Sequence, residues 1–480
     1  METTLTANGC DYDLLVIGGG PAGQKGALCA AKFKKKTAIV DRKWPAGNSS
    51  GRGGTISSKT LREAILSRLR QRSFNQQAPS NERLEASIRN FGMADLTTRV
   101  EAVIKSEAEL IKSQLQRHHV DLLEGDCAFI DSHTVQIQTE QGSSRVTAAN
   151  FLIAVGTRPL SNDRIPIDGK HIHNSDQFLS LPEIPNDVII VGAGLIGIEY
   201  ASLLAALGVR VTLVDQRTAF LSFADREIVD AFRSELSQSG VVFRLGEKVV
   251  ACGVEAGAAG VFAILESGEN IRGQSLLYTV GRQGNTDRLN LEAAGLQTGE
   301  AGKLEVNEQF RTAVPNIYAA GDVIGFPVEE LYYASISMEQ GRLAACNIFG
   351  VPAISRPQVF PYTIYAIPEI SMVGHTEQYL IAKQVSYQAG VARYGELAKG
   401  QILGAHHGFL KLLFDPDSLK ILGVHIIGES AAEIIHTGQA VLAFGGTIEY
   451  FRDTVFNYPT LAEAYKAAAI DGLRKVGLEL

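Results

Sequence analysis

One supersecondary unit occurs twice in this chain. Its first copy is DLLVIGGGPAGQKGALCAAKFKKKTAIVD, from Asp13 to Asp41, and its second is DVIIVGAGLIGIEYASLLAALGVRVTLVD, from Asp187 to Asp215. Each begins with an apolar run that reads as a buried strand. A G-x-G-x-x-G turn follows (Gly18, Gly20, Gly23; then Gly192, Gly194, Gly197), then an Ala-rich helix, a second strand and a terminal acid. The spacing from first glycine to acid is 23 residues in both copies. The first glycine permits a tight turn, the second lets backbone approach a pyrophosphate, and the third lets helix pack on strand. The helix N-terminus offers free N–H groups and partial positive charge to phosphate, and the acid can hold a ribose hydroxyl pair. A single glycine motif is weak, because glycine-rich turns are common. Two complete units imply two dinucleotides, naturally one held permanently and one exchanged.

The remaining composition narrows the partners. A formal net charge of −7 over 480 residues argues against a general nucleic-acid binder. No apolar run approaches the roughly 20 residues needed to cross a bilayer. The segment METTLTANGCDYD has neither the basic start nor the apolar core of a secretory signal, so a cytoplasmic location is expected. The five cysteines (Cys10, Cys29, Cys127, Cys252, Cys346) are scattered without a C-x-x-C pair. That speaks against a disulfide framework or a zinc site, and no metal is expected.

Between the two units, a helical region runs from Lys59 to about residue 119. Its arginines Arg62, Arg68, Arg70 and Arg72 read as a solvated face, as do His118 and His119 near a helix end. DLLEGDCAFI and HTVQIQT alternate as strands do. Phe151–Val155 is a further apolar strand, and Gly156-Thr157-Arg158-Pro159 reads as a turn leaving the domain. From about 280 the pattern changes. A short strand ends in Gly321-Asp322, a helix covers Ala334–Phe349, and strands alternate with helices from 351 onward without a nucleotide motif.

The chain resembles the class I pyridine nucleotide-disulfide oxidoreductase flavoproteins, and within them the soluble transhydrogenase branch. The likeness spans nearly the whole chain and rests on GGGPAGQKGA, GTISSKTLREA, VGAGLIGIEYAS, GRQGNTD, IYAAGDVIGFP, SMEQGRLAA, GHTEQYL, AEIIHTGQA and FNYPTLAEAYK. It implies an α/β fold with two Rossmann-like domains and an α+β C-terminal domain. FAD would bind residues 1–155 and 280–350, NAD or NADP residues 156–279, and 351–480 would form a homodimer. Gly18, Gly20, Pro21, Ala22 and Gly23 would take the FAD pyrophosphate, Asp41 its adenosine ribose, and Asp322 its ribityl chain. Arg42, Gly47, Ser50, Thr55, Gly156, Gly281, Arg282 and Gly321 are further cofactor-binding candidates. Gly192, Gly194, Leu195, Ile196, Gly197, Asp215 and Arg217 would serve the nicotinamide dinucleotide. Lys59 and Glu199 would pair beside the flavin, where a cation stabilises negative charge on the reduced ring.

What the family's disulfide reductases have and this chain lacks bears on the chemistry. Their redox cysteines fall at Ser50 and Thr55, neither of which can form a disulfide. Their partner-supplied histidine falls at Tyr458, with Glu463 retained, and tyrosine, with an ordinary pKa near 10, is a poor base at pH 7. Flavin N5 could still pass hydride between NADPH and NAD+, which needs no acid–base residue. An NAD(P)H oxidase, diaphorase or quinone reductase is the enzymatic alternative, and a non-catalytic FAD-binding regulator the other. Asp215 favours a 2′-hydroxyl and Arg217 a 2′-phosphate, so nucleotide preference stays open. Ser57 replaces the usual proline, and the 326–338 segment is longer than expected for the family.

Overall fold

The computed structural model describes residues 6, 9–42, 44, 54–76, 92–160, 165–179, 181–255, 260–325, 334–353, 359–405 and 407–478. Its first part contains β1 (Tyr12–Ile17), α1 (Pro21–Lys32), β2 (Thr37–Asp41), α2 (Thr55–Gln76), α3 (Met93–Arg117), β3 (Asp121–Glu124), β4 (Asp126–Phe129), β5 (Thr134–Thr139), β6 (Gly142–Ile153) and β7 (Thr157–Pro159). The strand order is β3-β2-β1-β6-β5-β4. β6 extends well before the apolar stretch that announces it. Its polar half, from Gly142, pairs antiparallel with β5, while Ala148–Ile153 pairs parallel with β1. Only the second half lies in the buried core, so only that half carries a strand's apolar signature.

The second part contains β8 (Ile172–Asn174), α4 (Ser175–Phe178), β9 (Asp187–Val191), α5 (Leu195–Ala206), β10 (Arg210–Asp215), α6 (Arg226–Gln238), β11 (Val241–Leu245), β12 (Val249–Val254), β13 (Val261–Leu265), β14 (Asn270–Gly273), β15 (Ser275–Tyr278) and β16 (Arg282–Gly284). The sheet β11-β10-β9-β15-β8 is parallel throughout, and β12–β14 form an antiparallel meander. Thr157-Arg158-Pro159 is not a turn. It is β7, paired antiparallel with β16, so the chain leaves the first sheet and comes back along one two-stranded ribbon. The three residues carry no apolar alternation, which is why they look like punctuation.

β17 (Ile317–Ala319) returns to the first sheet beside β6, and α7 (Ala334–Ile348) packs on α1. The two helices touch backbone to backbone: a Cβ added at Gly341 would sit 2.0 Å from the Ala22 carbonyl oxygen. The last part comprises β18 (Tyr362–Ile364), β19 (Ile370–Gly374), α8 (Glu377–Ala382), β20 (Gln388–Arg393), α9 (Ala398–Leu403), β21 (Phe409–Phe414), β22 (Ile421–Ile427), α10 (Ala431–Ala443), α11 (Glu449–Asp453) and α12 (Glu463–Lys475). Its antiparallel sheet runs β18-β19-β22-β21-β20. A core built around Tyr394, Phe414, Phe451 and Tyr465 joins that sheet to its helices.

Two buried ion pairs dock this last sheet on the rest. Arg62, expected on a solvated face, is 3% exposed. Its Nη2 lies 2.7 Å from Glu369, and its Nε donates to the Ala366 carbonyl at 2.9 Å. Burial raises the Glu369 carboxyl, and the arginine beside it opposes the rise. Further along the junction, Lys411 is 0% exposed. It donates to Asp225 at 2.9 Å and Glu377 at 2.7 Å, with Glu227 at 2.9 Å. Burial alone would lower the Lys411 pKa, but the three carboxylates hold it above the ordinary lysine value. No helix among the described residues is long and apolar enough to cross a membrane.

Removing one partner of such a network strands the others in low dielectric. Lys411→Met should therefore destabilise the protein by about 3–5 kcal/mol in denaturant titration. A second expectation concerns pH. His173 is buried against the Phe178 ring, and neither of its ring nitrogens has a partner. His425 is buried on β22, and burial holds both imidazoles below the usual histidine pKa. The unfolded chain protonates near pH 6.5 while the folded one resists, so stability is full above about pH 6.5 and falls as pH drops below it. Thermal midpoints measured from pH 8 to 5 should show this decline, and His173→Leu should make it shallower.

Candidate active site

The two glycine turns are near copies in space. Gly18 and Gly192 have φ of +103° and +107°, where L side chains are strained. Cβ atoms added at Gly23 and Gly197 would each lie 1.9 Å from the carbonyl oxygen of the first glycine. The protein's own backbone therefore demands the first and third glycines. The middle ones differ: a Cβ at Gly194 would meet nothing within 4 Å, and one at Gly20 only the Ala154 oxygen at 3.9 Å. Among the described residues, nothing else crowds a side chain at either position. The N-cap residues of α1 and α5 are these glycines, Gly20 and Gly194, which have no side chain to cap the helix. Two uncrowded cradles at bare helix N-termini fit the pyrophosphates of two dinucleotides.

The terminal acids brace the turns. Asp41 accepts from the Gly19 N–H at 2.7 Å, and Asp215 from the Ala193 N–H at 2.6 Å. Asp215 is also gripped by Arg217, whose Nε and Nη2 donate at 2.9 and 2.8 Å. Burial would raise the Asp215 carboxyl, but these hydrogen bonds hold it below the usual carboxylate range.

Around the first cradle, Gly321 stands against Ala22, and its N–H donates to Gln340 at 2.8 Å. Asp322 accepts from Ser337 at 3.1 Å. Pro21 and Ala22 open α1, as Leu195 and Ile196 open α5. Arg42 lies 3.7 Å from Asp126 at the surface. Gly156 and Gly281 have positive φ at the ends of the β7–β16 ribbon, where Arg282 donates twice to Thr157 at 2.8 Å. Arg282 is thus a strut of the ribbon. Gly47, Ser50 and residues 326–333 lie outside the described residues. Thr55 opens α2 and is exposed. Ser57 is buried two residues on, with no hydrogen-bond partner for its hydroxyl.

Lys59 of α2 donates to Glu199 of α5, the helix that opens the second cradle, at 2.6 Å. The second Glu199 oxygen accepts from the backbone N–H of Tyr365 at 3.0 Å, and the Tyr365 ring centroid lies 4.9 Å from Lys59 Nζ. Burial raises the Tyr365 phenol. One turn along each helix, Arg62 holds Ala366, and the Ser202 hydroxyl accepts from Ile367 at 3.1 Å. Tyr365 carries no motif, and nothing in its local sequence marks it as part of this site. Trp44 closes the edge of β3 with its indole N–H on the Leu123 carbonyl at 2.9 Å.

Tyr458 and Glu463 are not joined to the Lys59–Glu199 pair within one chain. Tyr458 is 75% exposed, and Glu463, the first residue of α12, accepts from the Thr460 N–H at 3.2 Å. Phe444 and Val455, in the same part of the chain, are 92% and 89% exposed.

Residues 12–342 match the family model described as pyridine nucleotide-disulphide oxidoreductase, and residues 360–469 match its dimerisation domain. The chain belongs to this family. A relative named soluble pyridine nucleotide transhydrogenase, from Mycobacterium tuberculosis, is 46% identical over 97% of this chain and 98% of its own. Another of that name, from Colwellia psychrerythraea, is 42% identical over 97% and 99%. Among solved structures, LpdA from Mycobacterium tuberculosis is 25% identical with a TM-score of 0.85, covering 95% of this chain and 98% of its own. The HOCl-induced flavoprotein disulfide reductase RclA from Escherichia coli superposes with a TM-score of 0.82 at 24% identity, which supports the fold alone.

The contrast between glycines gives a test of the second cradle. Gly194→Ala should leave thermal stability unchanged while raising KM for NADH roughly tenfold or more, since the new methyl enters only ligand space. Gly197→Ala drives a Cβ into a backbone carbonyl and should lower the melting temperature instead.

Proposed function

We propose that this protein is an NAD(P)+ transhydrogenase that moves hydride between NADPH and NAD+ and works as a homodimer in the cytoplasm. FAD would occupy the cradle at Gly18–Gly23, with Asp41 toward its adenosine ribose and Asp322 toward its ribityl chain. NAD and NADP would alternate in the cradle at Gly192–Gly197. The first site would be built from residues 1–155 and 280–350, the second from 156–279, and the dimer contact from 351–480. FAD, when bound, supplies a two-electron carrier able to take hydride from one nicotinamide and return it to another.

The observation that carries the reading is the Lys59–Glu199 pair, which ties α2 to the helix that starts the second cradle. Lys59 supplies positive charge where a reduced ring gathers negative charge, and Glu199 fixes its direction. Thr55 and Ser50 contribute no thiol, so electrons have no sulfur relay to follow. The reaction asks for no proton donor, in keeping with tyrosine at 458. The exposure of Tyr458 supports a place for it and Glu463 at the dimer contact rather than in their own chain's site. Asp215 and Arg217 supply, in one corner, a group for a 2′-hydroxyl and a group for a 2′-phosphate.

Purified protein should be yellow, NADPH should bleach it, and a thio-analogue of NAD should then be reduced in step with flavin reoxidation. Lys59→Met should lower that turnover by roughly 10²-fold. Reduced flavin that only oxygen or a quinone can reoxidise would place the protein with oxidases or quinone reductases. Bound FAD that NADPH leaves unbleached would make it a non-catalytic binder.

A further inference from the structure

The segment from Tyr365 to Glu369 lies between α2 and α5 and touches them in register. Lys59 and Arg62 are one helical turn apart on α2, and Glu199 and Ser202 one turn apart on α5. Tyr365 meets Lys59 and Glu199, Ala366 meets Arg62, Ile367 meets Ser202, and Glu369 meets Arg62 again. Five contacts with two helices hold this strand connection in one position. The Tyr365 side chain is half-buried, and its ring face is turned to the ammonium.

An ammonium on a four-carbon stem has three donors and many rotamers. Here one donor is taken by Glu199 at 2.6 Å, and Ser58 accepts only weakly at 3.4 Å. A carboxylate on one side leaves the stem free to swing about that contact. An aromatic face on another side removes that freedom, because ring and ammonium attract electrostatically while the ring excludes water. We infer that Tyr365 is a positioning residue. Its ring, supplied by the C-terminal part of the chain, confines the Lys59 ammonium so that its charge points into the flavin site. This rests on the reading of Lys59 as the cation beside the flavin.

Three features separate this role from simple packing. The Glu199 hydrogen bond comes from the Tyr365 backbone, so a side-chain substitution leaves it in place. The phenol oxygen has no role in the argument, so phenylalanine should serve as well as tyrosine. The effect should also appear in a property of the bound flavin, apart from turnover.

Sulfite affinity supplies that property, because the adduct at the flavin carries negative charge that a nearby cation stabilises. FAD-loaded full-length protein would be titrated with sulfite as wild type, Tyr365→Phe, Tyr365→Leu, Tyr365→Met and Lys59→Met. FAD content and melting temperature would be read alongside, and either aliphatic variant suffices if the other fails to fold. Tyr365→Phe should bind sulfite within about twofold of wild type, and the aliphatic variants roughly threefold to thirtyfold more weakly. Lys59→Met should weaken binding at least as much. Aliphatic variants matching wild type while Lys59→Met is weakened would overturn the role of Tyr365 and leave the site reading standing. Phenylalanine behaving like leucine would overturn it too, by assigning the effect to the hydroxyl. Lys59→Met matching wild type would remove Lys59 from the flavin's surroundings and take both readings down.

Discussion

A single carboxylate, Glu199, joins three parts of the chain that have no covalent reason to meet. One oxygen holds Lys59 from the first part, and the other holds the Tyr365 N–H from the last. Glu199 itself sits on the helix that opens the second cradle. Each bond would be worth little on a wet surface. Here the side chains are mostly covered, 26% exposed for Lys59 and 13% for Glu199, so the pair is attractive only while both partners stay in place. The same atoms that hold Lys59 against α5 therefore also hold the C-terminal segment at Tyr365. Any shift of the C-terminal sheet would move Lys59.

The junction is reinforced by ion pairs whose gain lies in orientation more than in net stability. Burying Arg62 with Glu369, or Lys411 among three acids, costs desolvation that the Coulomb attraction only partly offsets. Apolar residues of similar volume would hold the surfaces together as firmly. They would not hold them in one register, because apolar contact is non-directional. Arg62 requires a carboxylate and a carbonyl at fixed distances, and both come from the segment that carries Tyr365. Geometry at Lys59 is thus over-determined from two sides.

This division also explains what could be seen in the sequence. The two cradles are local: every residue needed to recognise Gly18–Asp41 or Gly192–Asp215 lies within one βαβ unit, and their physics depends on spacing alone. Lys59 and Glu199 were within reach only through resemblance, since neither has a local signature. Arg62 was misread because its neighbours Arg68, Arg70 and Arg72 make a basic run that looks solvated. Its partner at Ala366 lies 304 residues further on, and no periodicity links positions so distant. The β7–β16 ribbon was missed for a related reason. A three-residue strand with arginine and proline owes its state to its partner strand, and tertiary pairing overrides local propensity.

On the proposed reading the duplicated unit serves two different dinucleotides, and the acid of its second copy bears on which nucleotide that copy takes. Both acids tie the turn through the residue after the first glycine, so this bond belongs to the fold. Asp215 has a guanidinium two residues on, donating to both of its oxygens. A bare carboxylate there repels a 2′-phosphate and selects the 2′-hydroxyl. One neutralised by Arg217 repels less, and the same arginine is placed to turn toward a phosphate when one arrives. The exchange substitutes one charge-assisted pair for another, while Asp215 keeps the backbone N–H groups of Ala193 and Arg217. A pocket that must release one nucleotide and accept the other gains from that near-balance, because tight selectivity for either would slow the exchange on which turnover depends.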